Sequence, residues 1–265
     1  MKKLLLLLML LPLKHWAQPF SNSEINRWQQ QAKNVNIIRD NFGIPHIYGK
    51  TDADAVFGLL YAQCEDDFKR VELNYIEKLG RLAEVNGAKD IYNDLYIRLL
   101  IDSTDAMADF KKAPVWLKKL LNAYADGINY WLYKNPATKP ALLNRFQPWY
   151  PLLWTDGSIG AISTGGISEA EVKNFYSGGN ITSTYNPKKF EEISTGSNGF
   201  AVGPTKTVNG NAILYINPHV TFYFRPEVHM ISEEGLNVYG AVTWGQFFIY
   251  QGFNEYCGWM HTSNN

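Results

Sequence analysis

Hydrophobic side chains recur at helical spacing in the first half of the chain. Between Thr51 and Gly87 the apolar positions that follow this spacing are Val56, Leu59, Leu60, Cys64, Phe68, Val71 and Leu73. The pattern predicts one long helix, not necessarily straight, that begins at a capping box of Thr51 and Asp54 and ends at Gly87. Residues 90–135 are predicted to be helical as well, with Pro114 near the start of their most regular part.

Strand-like stretches precede the long helix and dominate the sequence after Ser197. Residues 35–50 predict two short strands around a turn at Asn41, Phe42 and Gly43. After Ser197, two strand-like stretches flank Asn209 and Gly210, a dipeptide typical of tight hairpins. Further strands are predicted in EVHMISEE, NVYGAVTW and FFIYQGFN. The expected fold class is therefore α+β, with a helical N-terminal half and a β-rich C-terminal part.

The composition changes this picture only modestly. Lys and Arg number 25, as do Asp and Glu, so the formal net charge is zero and nucleic acid is not an expected partner. A hydrophobic content of 46% indicates a folded protein. The two cysteines, Cys64 and Cys257, are predicted to be unpaired and mostly buried, because Cys64 lies within the helical apolar pattern. One disulfide between them is the alternative.

The first 17 residues predict a bacterial signal peptide. Lys2 and Lys3 precede an apolar run at residues 4–13 that is too short to span a bilayer, and Ala17 suits the position before a cleavage site. We therefore expect a periplasmic or secreted protein that has no contact with the membrane once this segment is removed.

The middle of the chain predicts a boundary between two regions. Gly, Ser, Thr and Asn become frequent at about residues 156–196, which predicts a short helix followed by a linker. We assign residues 18–177 to a mostly helical region, residues 178–196 to the linker and residues 197–265 to a β-rich region.

Ser197 stands where the linker meets the first strand of the second region, directly after Gly196. If the bond between them were cut, Ser197 would carry a free α-amine with a pKa of about 8. A neutral amine can accept the proton of the serine hydroxyl, so one residue would supply both a nucleophile and its base. Taken alone, the Gly-Ser-Asn tripeptide fits an ordinary loop equally well.

Four ordered stretches resemble the penicillin acylase family of N-terminal nucleophile hydrolases. They are IIRDNFGIPHIYGKTDADAVFGLLYAQCEDD, LGRLAEVNG, SNGFAVGPTKTVNGNAILYINPH and GFNEYCGWMHTS. The resemblance implies an αββα sandwich and a precursor that cuts itself between Gly196 and Ser197 into an α and a β chain. It also implies hydrolysis of a small acylated amide, such as a penicillin, a cephalosporin, an N-acyl homoserine lactone or an acylated cyclic peptide.

The resemblance implies a role for several residues. Ser197 matches the nucleophile, and His219 matches a position beside it, although a histidine in an ordinary loop is the alternative. The backbone N–H of Ser263 matches one oxyanion donor, and Val220 matches a position that lines the acyl pocket. His46 matches a motif residue that we interpret as structural. A histidine at position 219 is typical of the lactone, lipopeptide and cephalosporin acylases.

The resemblance implies no cofactor for the chemistry but allows a structural calcium, whose ligands the sequence does not identify. Two features depart from the family. Asp67 occupies a position where arginine is frequent, and the downstream asparagine that completes the family's oxyanion hole has no counterpart within the 265 residues. We therefore expect this chain to be an incomplete enzyme. The alternatives are a truncated, inactive acylase and a secreted binding module.

Overall fold

Helices and strands separate along the chain in the computed structural model, which describes residues 20–100, 102–153, 168–178, 197–220 and 223–262. The helices are Asn22–Ala32 (α1), Asp52–Lys78 (α2), Leu82–Asn86 (α3), Ile91–Leu100 (α4), Ser103–Lys112 (α5), Val115–Lys134 (α6) and Glu169–Tyr176 (α7). The strands are Val35–Arg39 (β1), Pro45–Gly49 (β2), Ser197–Val202 (β3), Ile213–Pro218 (β4), Glu227–Ser232 (β5), Asn237–Ala241 (β6), Gln251–Phe253 (β7) and Gly258–Trp259 (β8). This confirms the α+β class, with a helical N-terminal part and a β-rich C-terminal part.

Six of the strands form one sheet in the order β1-β2-β5-β6-β7-β8, and β3 pairs with β4 in a separate hairpin. Within the six-stranded sheet, β2 and β5 are parallel, with His46 opposite His229, whereas the other neighbours are antiparallel. Strands from before and after Ser197 therefore share one sheet. The four-layered αββα arrangement stays a prediction, because among the described residues the helices pack on the six-stranded sheet and the second sheet consists only of the β3–β4 hairpin.

Helix α2 packs between the sheet and α6, and glycines allow the close approach on both sides. A Cβ atom added at Gly58 of α2 would lie 2.7 Å from the Ile47 side chain of β2. A Cβ atom added at Gly127 of α6 would lie 2.4 Å from the carbonyl oxygen of Phe57. Ile47 and Phe57 are themselves buried in the core, so a larger side chain at either glycine would have to push a helix away.

Polar side chains also attach α2 to the loop that follows β6. The Gln63 side chain accepts a hydrogen bond from the Gly245 backbone N–H at 2.7 Å and donates to the Gln246 carbonyl at 2.9 Å. Further along the helix, Asn74 donates to the Trp244 carbonyl and Tyr75 to the Gly245 carbonyl. Helix α2 therefore binds the β-rich region through hydrogen bonds as well as through apolar packing.

The prediction of one helix from Thr51 to Gly87 was correct at its start and wrong at its end. The Thr51 and Asp54 capping box is present, but the helix kinks at Asp67, whose φ is −155° and ψ is 72°. The Asp67 carboxylate accepts hydrogen bonds from the backbone N–H and side chain of Arg70, so it caps the second half of α2. The helix ends at Lys78 because Gly80 takes a φ of 60°, and the short helix α3 ends at Asn86, directly before Gly87, whose φ is 87°.

The hairpin predictions were largely correct. The β1–β2 turn is closed by the Asp40 carboxylate, which accepts hydrogen bonds from the Phe42 and Ile44 backbone N–H groups. The β3–β4 hairpin contains Gly210 with a φ of 72° in its loop. Residues 247–250 were predicted to begin a strand, yet the strand begins only at Gln251. An irregular path lets buried Ile249 and Tyr250 contribute to the core.

Both cysteines are free, as predicted, but their burial differs. Cys64 is buried in α2, whereas Cys257 is exposed in the turn between β7 and β8, so the prediction of burial was wrong for Cys257. That turn is polar because the Asn254 side chain accepts hydrogen bonds from the Tyr256 and Cys257 backbone N–H groups. Within the described part of the chain, the helices are too short or too polar to cross a membrane. The predicted signal peptide lies outside the described residues.

Glu24 at the start of α1 provides a pH-dependent contribution to stability. Its carboxylate accepts hydrogen bonds from Arg145, at 2.7 Å, and from the Ser21 backbone N–H, and these bonds lower its pKa from 4.5 to about 2. The folded protein therefore binds this proton less tightly than the unfolded chain does. The stabilisation is complete above about pH 5 and is lost as the pH falls towards about 2.

We expect Glu24→Gln to lower the free energy of unfolding near neutral pH and to flatten its decline in acid. Urea denaturation at several pH values from about 6 down to about 3 measures this difference. Glu169→Gln is the matched control, because Glu169 is exposed on α7. Parallel acid curves for wild type and Glu24→Gln would contradict the prediction.

Candidate functional site around Ser197

Ser197 is the first residue of β3 and is buried, with 9% of its surface exposed. It lies opposite Pro218, the last residue of β4, in the antiparallel register. Gly196 and most of the predicted linker lie outside the described residues, so the geometry of the bond between Gly196 and Ser197 is not described. The side chain predicted as nucleophile thus stands at the buried end of a two-stranded hairpin.

The main chain of Ser197 is bound on both sides by one hydroxyl group. The Ser197 backbone N–H donates a hydrogen bond to Thr262 Oγ1 at 3.2 Å, and Thr262 Oγ1 donates to the Ser197 carbonyl oxygen at 2.6 Å. Pro218 has no N–H and cannot donate to that carbonyl from the opposite strand. The Thr262 hydroxyl therefore supplies a hydrogen bond that the hairpin partner is unable to make.

The segment that carries Thr262 is itself held against the sheet and the hairpin. The Gln251 side chain of β7 donates to the His261 carbonyl at 3.2 Å. Met260 lies against Gly199 of β3, where an added Cβ atom would fall 1.6 Å from the methionine sulfur. Glycine at position 199 thus allows this segment to approach the strand that begins with Ser197.

His219 directly follows Pro218 and is exposed, so it stands at the same end of the hairpin as Ser197. It makes a hydrogen bond with the residue that follows Ser197, since His219 Nε2 lies 3.2 Å from Asn198 Nδ2. An amide nitrogen donates, so Nε2 is the acceptor in this contact. Val220 follows and is half-buried. Ser263 is the residue after Thr262 and lies outside the described residues.

His46 lies elsewhere, at the parallel junction of β2 and β5. Its Nδ1 is 2.9 Å from Nδ1 of His229, and its Nε2 is 3.5 Å from the Asp40 carboxylate. His229 Nε2 in turn bonds to Asn237 Oδ1 at 2.8 Å. These contacts join the β1–β2 turn to β5 and β6, and the structural role given to His46 stays a prediction.

The structural calcium that the resemblance allows stays a prediction that the described residues do not test. No group of three or more His, Cys, Asp or Glu side chains within them is placed to hold a metal. Their buried carboxylates include Glu72, Asp94 and Asp126, and each accepts hydrogen bonds from N–H groups. We assign no step of the chemistry to a metal.

Comparison with known proteins decides the family. The family model for penicillin amidase matches residues 34–265. The chain belongs to the penicillin amidase family. Among its relatives, the acyl-homoserine lactone acylase PvdQ of Pseudomonas syringae pv. tomato is 25% identical in an alignment 269 positions long that covers 88% of this chain and 34% of that protein. The penicillin acylase 2 proenzyme of Pseudomonas sp. strain SE83 is 32% identical over 120 residues, covering 44% of this chain and 16% of that protein.

The chain therefore spans about a third of the length of the PvdQ acylase. Its match to the penicillin acylase 2 proenzyme covers 16% of that protein. Among solved structures, a thermostable penicillin G acylase from Alcaligenes faecalis matches 59% of this chain and 87% of that chain, with a TM-score of 0.44 and 16% identity. Membership of the penicillin amidase family makes this chain a relative of acylases. It does not by itself identify the nucleophile or the substrate.

The sequence did not predict three residues of the site around Ser197. Thr262 makes a hydrogen bond with Ser197, and Gln251 makes one with His261 in the segment that carries Thr262. Asn198 makes a hydrogen bond with His219. The available signals were indirect: Pro218 removes a donor opposite Ser197, and Thr262 directly precedes the predicted oxyanion residue Ser263. Asn198 directly follows Ser197 in sequence. The sequence predicted its hydrogen-bond partner His219 as a site residue but did not predict Asn198.

Proposed function

We propose that this chain provides the nucleophile region of an exported amidohydrolase that hydrolyses an acyl-amide bond through Ser197. One observation carries the proposal: Ser197 is buried at the start of β3 with both main-chain polar groups bonded to Thr262. A residue that becomes a chain terminus needs such external support, because it keeps no covalent neighbour on one side. Membership of the penicillin amidase family supports the same reading.

The proposed reaction begins with a cut between Gly196 and Ser197, which frees the Ser197 α-amine. The hydroxyl oxygen of Ser197 attacks the substrate carbonyl carbon while the amine accepts the hydroxyl proton. The Ser263 backbone N–H stabilises the oxyanion that forms. The carbonyl–nitrogen bond then breaks, the protonated amine product leaves, and an acyl-ester remains on Ser197. Water attacks the ester in a second round and releases the acid. In this scheme His219 lies beside the nucleophile, and Val220 lines the acyl pocket.

The proposed substrate is a small acylated amide, an N-acyl homoserine lactone or the side-chain amide of a β-lactam. The names of the relatives support this range, because one is an acyl-homoserine lactone acylase and another a penicillin acylase proenzyme. We place the reaction in the periplasm or outside the cell on the evidence of the N-terminal 17 residues.

A second candidate is an inactive member of the family. The sheet face opposite α2 carries exposed apolar side chains, and Ile38, Tyr48 and Phe253 are 51%, 40% and 51% exposed. Among the described residues, an exposed apolar face of this kind favours a chain that by itself is not a working enzyme.

The two candidates are distinguished by the intact mass of the protein expressed from its natural gene and measured under denaturing conditions. The proposed function expects two chains, the second beginning at Ser197, together with amine release from acyl-homoserine lactones or β-lactams. One uncut chain that releases no amine from either substrate class would overturn it in favour of the inactive member.

A further inference from the structure

The Thr262 hydroxyl has a fixed hydrogen-bond polarity towards Ser197. A threonine hydroxyl has one proton to donate and two lone pairs to accept with. Its proton is committed to the Ser197 carbonyl at the short distance of 2.6 Å, so towards the Ser197 nitrogen, 3.2 Å away, the oxygen can only accept. The carbonyl keeps this proton in place because Pro218, on the opposite strand, has no N–H to offer instead.

After the cut, the Ser197 nitrogen is an amine, and the polarity of the Thr262 hydroxyl then determines where the amine lone pair points. A neutral amine has two hydrogens and one lone pair, and only the lone pair can take the proton of the serine hydroxyl. An acceptor beside the nitrogen binds one of the hydrogens, whereas a donor in the same place would occupy the lone pair. An oxygen that can only accept therefore turns the lone pair away from itself and leaves it free to act as a base.

We propose that Thr262 is a positioning residue for the catalytic amine. Its hydroxyl binds one amine hydrogen, gives its own proton to the Ser197 carbonyl and so orients the amine lone pair towards the Ser197 hydroxyl. This inference rests on the proposed function, since it assigns Thr262 a role in the same site. Gln251 supports it indirectly, because its bond to the His261 carbonyl holds the segment that presents Thr262.

The proposal predicts an effect on protonation as well as on rate. A hydrogen-bond acceptor stabilises the ammonium form of an amine more than the neutral form, so its removal lowers the amine's pKa. The acid limb of the pH profile of kcat/KM reports that group in the free enzyme. Loss of the Thr262 hydroxyl should therefore move the acid limb to lower pH, while kcat falls because the amine is no longer oriented.

The test compares Thr262→Val with Thr262→Ser in the precursor expressed from its natural gene. Valine keeps the shape and removes the hydroxyl, and serine retains the hydroxyl. Thr262 is exposed, so valine disturbs little packing. Thr207→Val is the matched control, because that hydroxyl also donates to a carbonyl oxygen, 2.8 Å away on Asn211, but lies in the β3–β4 loop. The cut fraction is measured by mass, and rates on an acyl-homoserine lactone and a β-lactam are expressed per cut chain.

We expect Thr262→Val to lower kcat about tenfold to a hundredfold with little change in KM. Its acid limb should move to lower pH, and Thr262→Ser should restore both the rate and the profile. A cut Thr262→Val enzyme with the wild-type rate and profile would overturn the inference and leave the proposed function intact. If Thr262→Val is not cut, normal cutting of Thr262→Ser supports the role of the hydroxyl, and failure of both variants overturns it. An uncut or inactive wild type overturns the proposed function itself.

Discussion

Replacing Ser197 with alanine is expected to leave one uncut chain that hydrolyses no acyl amide. Alanine has no hydroxyl to attack the carbonyl carbon of Gly196, so the α-amine is never released. It also has no oxygen on which the acyl-ester could form. Loss of a nucleophile in hydrolases that act through an acyl-enzyme lowers kcat by about a millionfold. Mass measurement of the protein under denaturing conditions, combined with an amine-release assay, gives both readouts.

The matched control for this experiment is Ser177→Ala, since Ser177 is exposed at the end of α7. That variant should be cut and should hydrolyse substrate like the wild type. Ser197→Cys tests whether the hydroxyl itself is required or any nucleophile suffices, because a thiol can act as a nucleophile but differs from a hydroxyl in basicity and size. If Ser197→Ala protein were still cut before residue 197, or still released amine, Ser197 would not be the nucleophile.

Local pattern was sufficient to predict the elements that carry this site, because each of them depends on residues close together in sequence. The capping box at Thr51 and the β3–β4 hairpin with Gly210 follow from side-chain and backbone preferences over a few residues. The kink at Asp67 did not follow, since apolar spacing continues through it. What bends α2 is a hydrogen-bonded cap from Asp67 to Arg70, and a hydrophobic pattern carries no information about such a cap.

The arrangement around Ser197 was beyond reach for a different reason. Thr262 lies 65 residues from Ser197, and His229 lies 183 residues from its partner His46. Periodicity predicts that each strand exists but not which strand lies beside it, so the parallel pairing of β2 with β5 was not predictable. The family resemblance identified Ser197 and the region of residue 263, yet the hydrogen bonds between these two segments appear only in the folded chain.

Replacing Glu72 with alanine is expected to destabilise the helical region by about 2–4 kcal/mol. Glu72 lies on α2 and is 3% exposed. Its carboxylate accepts hydrogen bonds from three successive backbone N–H groups, those of Ala141, Leu142 and Leu143, at 2.9, 2.8 and 2.8 Å. Alanine would leave three donors without this acceptor. The Leu143 N–H is buried and those of Ala141 and Leu142 are part-buried, and an unsatisfied buried donor costs about 1–3 kcal/mol. Urea denaturation followed by circular dichroism measures the loss.

Glu77→Ala on the same helix is the control, because it removes a negative charge without removing a buried, hydrogen-bonded carboxylate. Glu77 is half-buried and lies 3.7 Å from Lys78, a contact expected to contribute less than about 1 kcal/mol. Glu72→Gln should fall between the two, because its amide oxygen still accepts while its NH2 group faces a donor. Equal stability of Glu72→Ala and Glu77→Ala would show that the turn at residues 141–143 satisfies its N–H groups without Glu72. A large difference would show that this carboxylate holds the turn against α2, the helix that also binds the loop after β6.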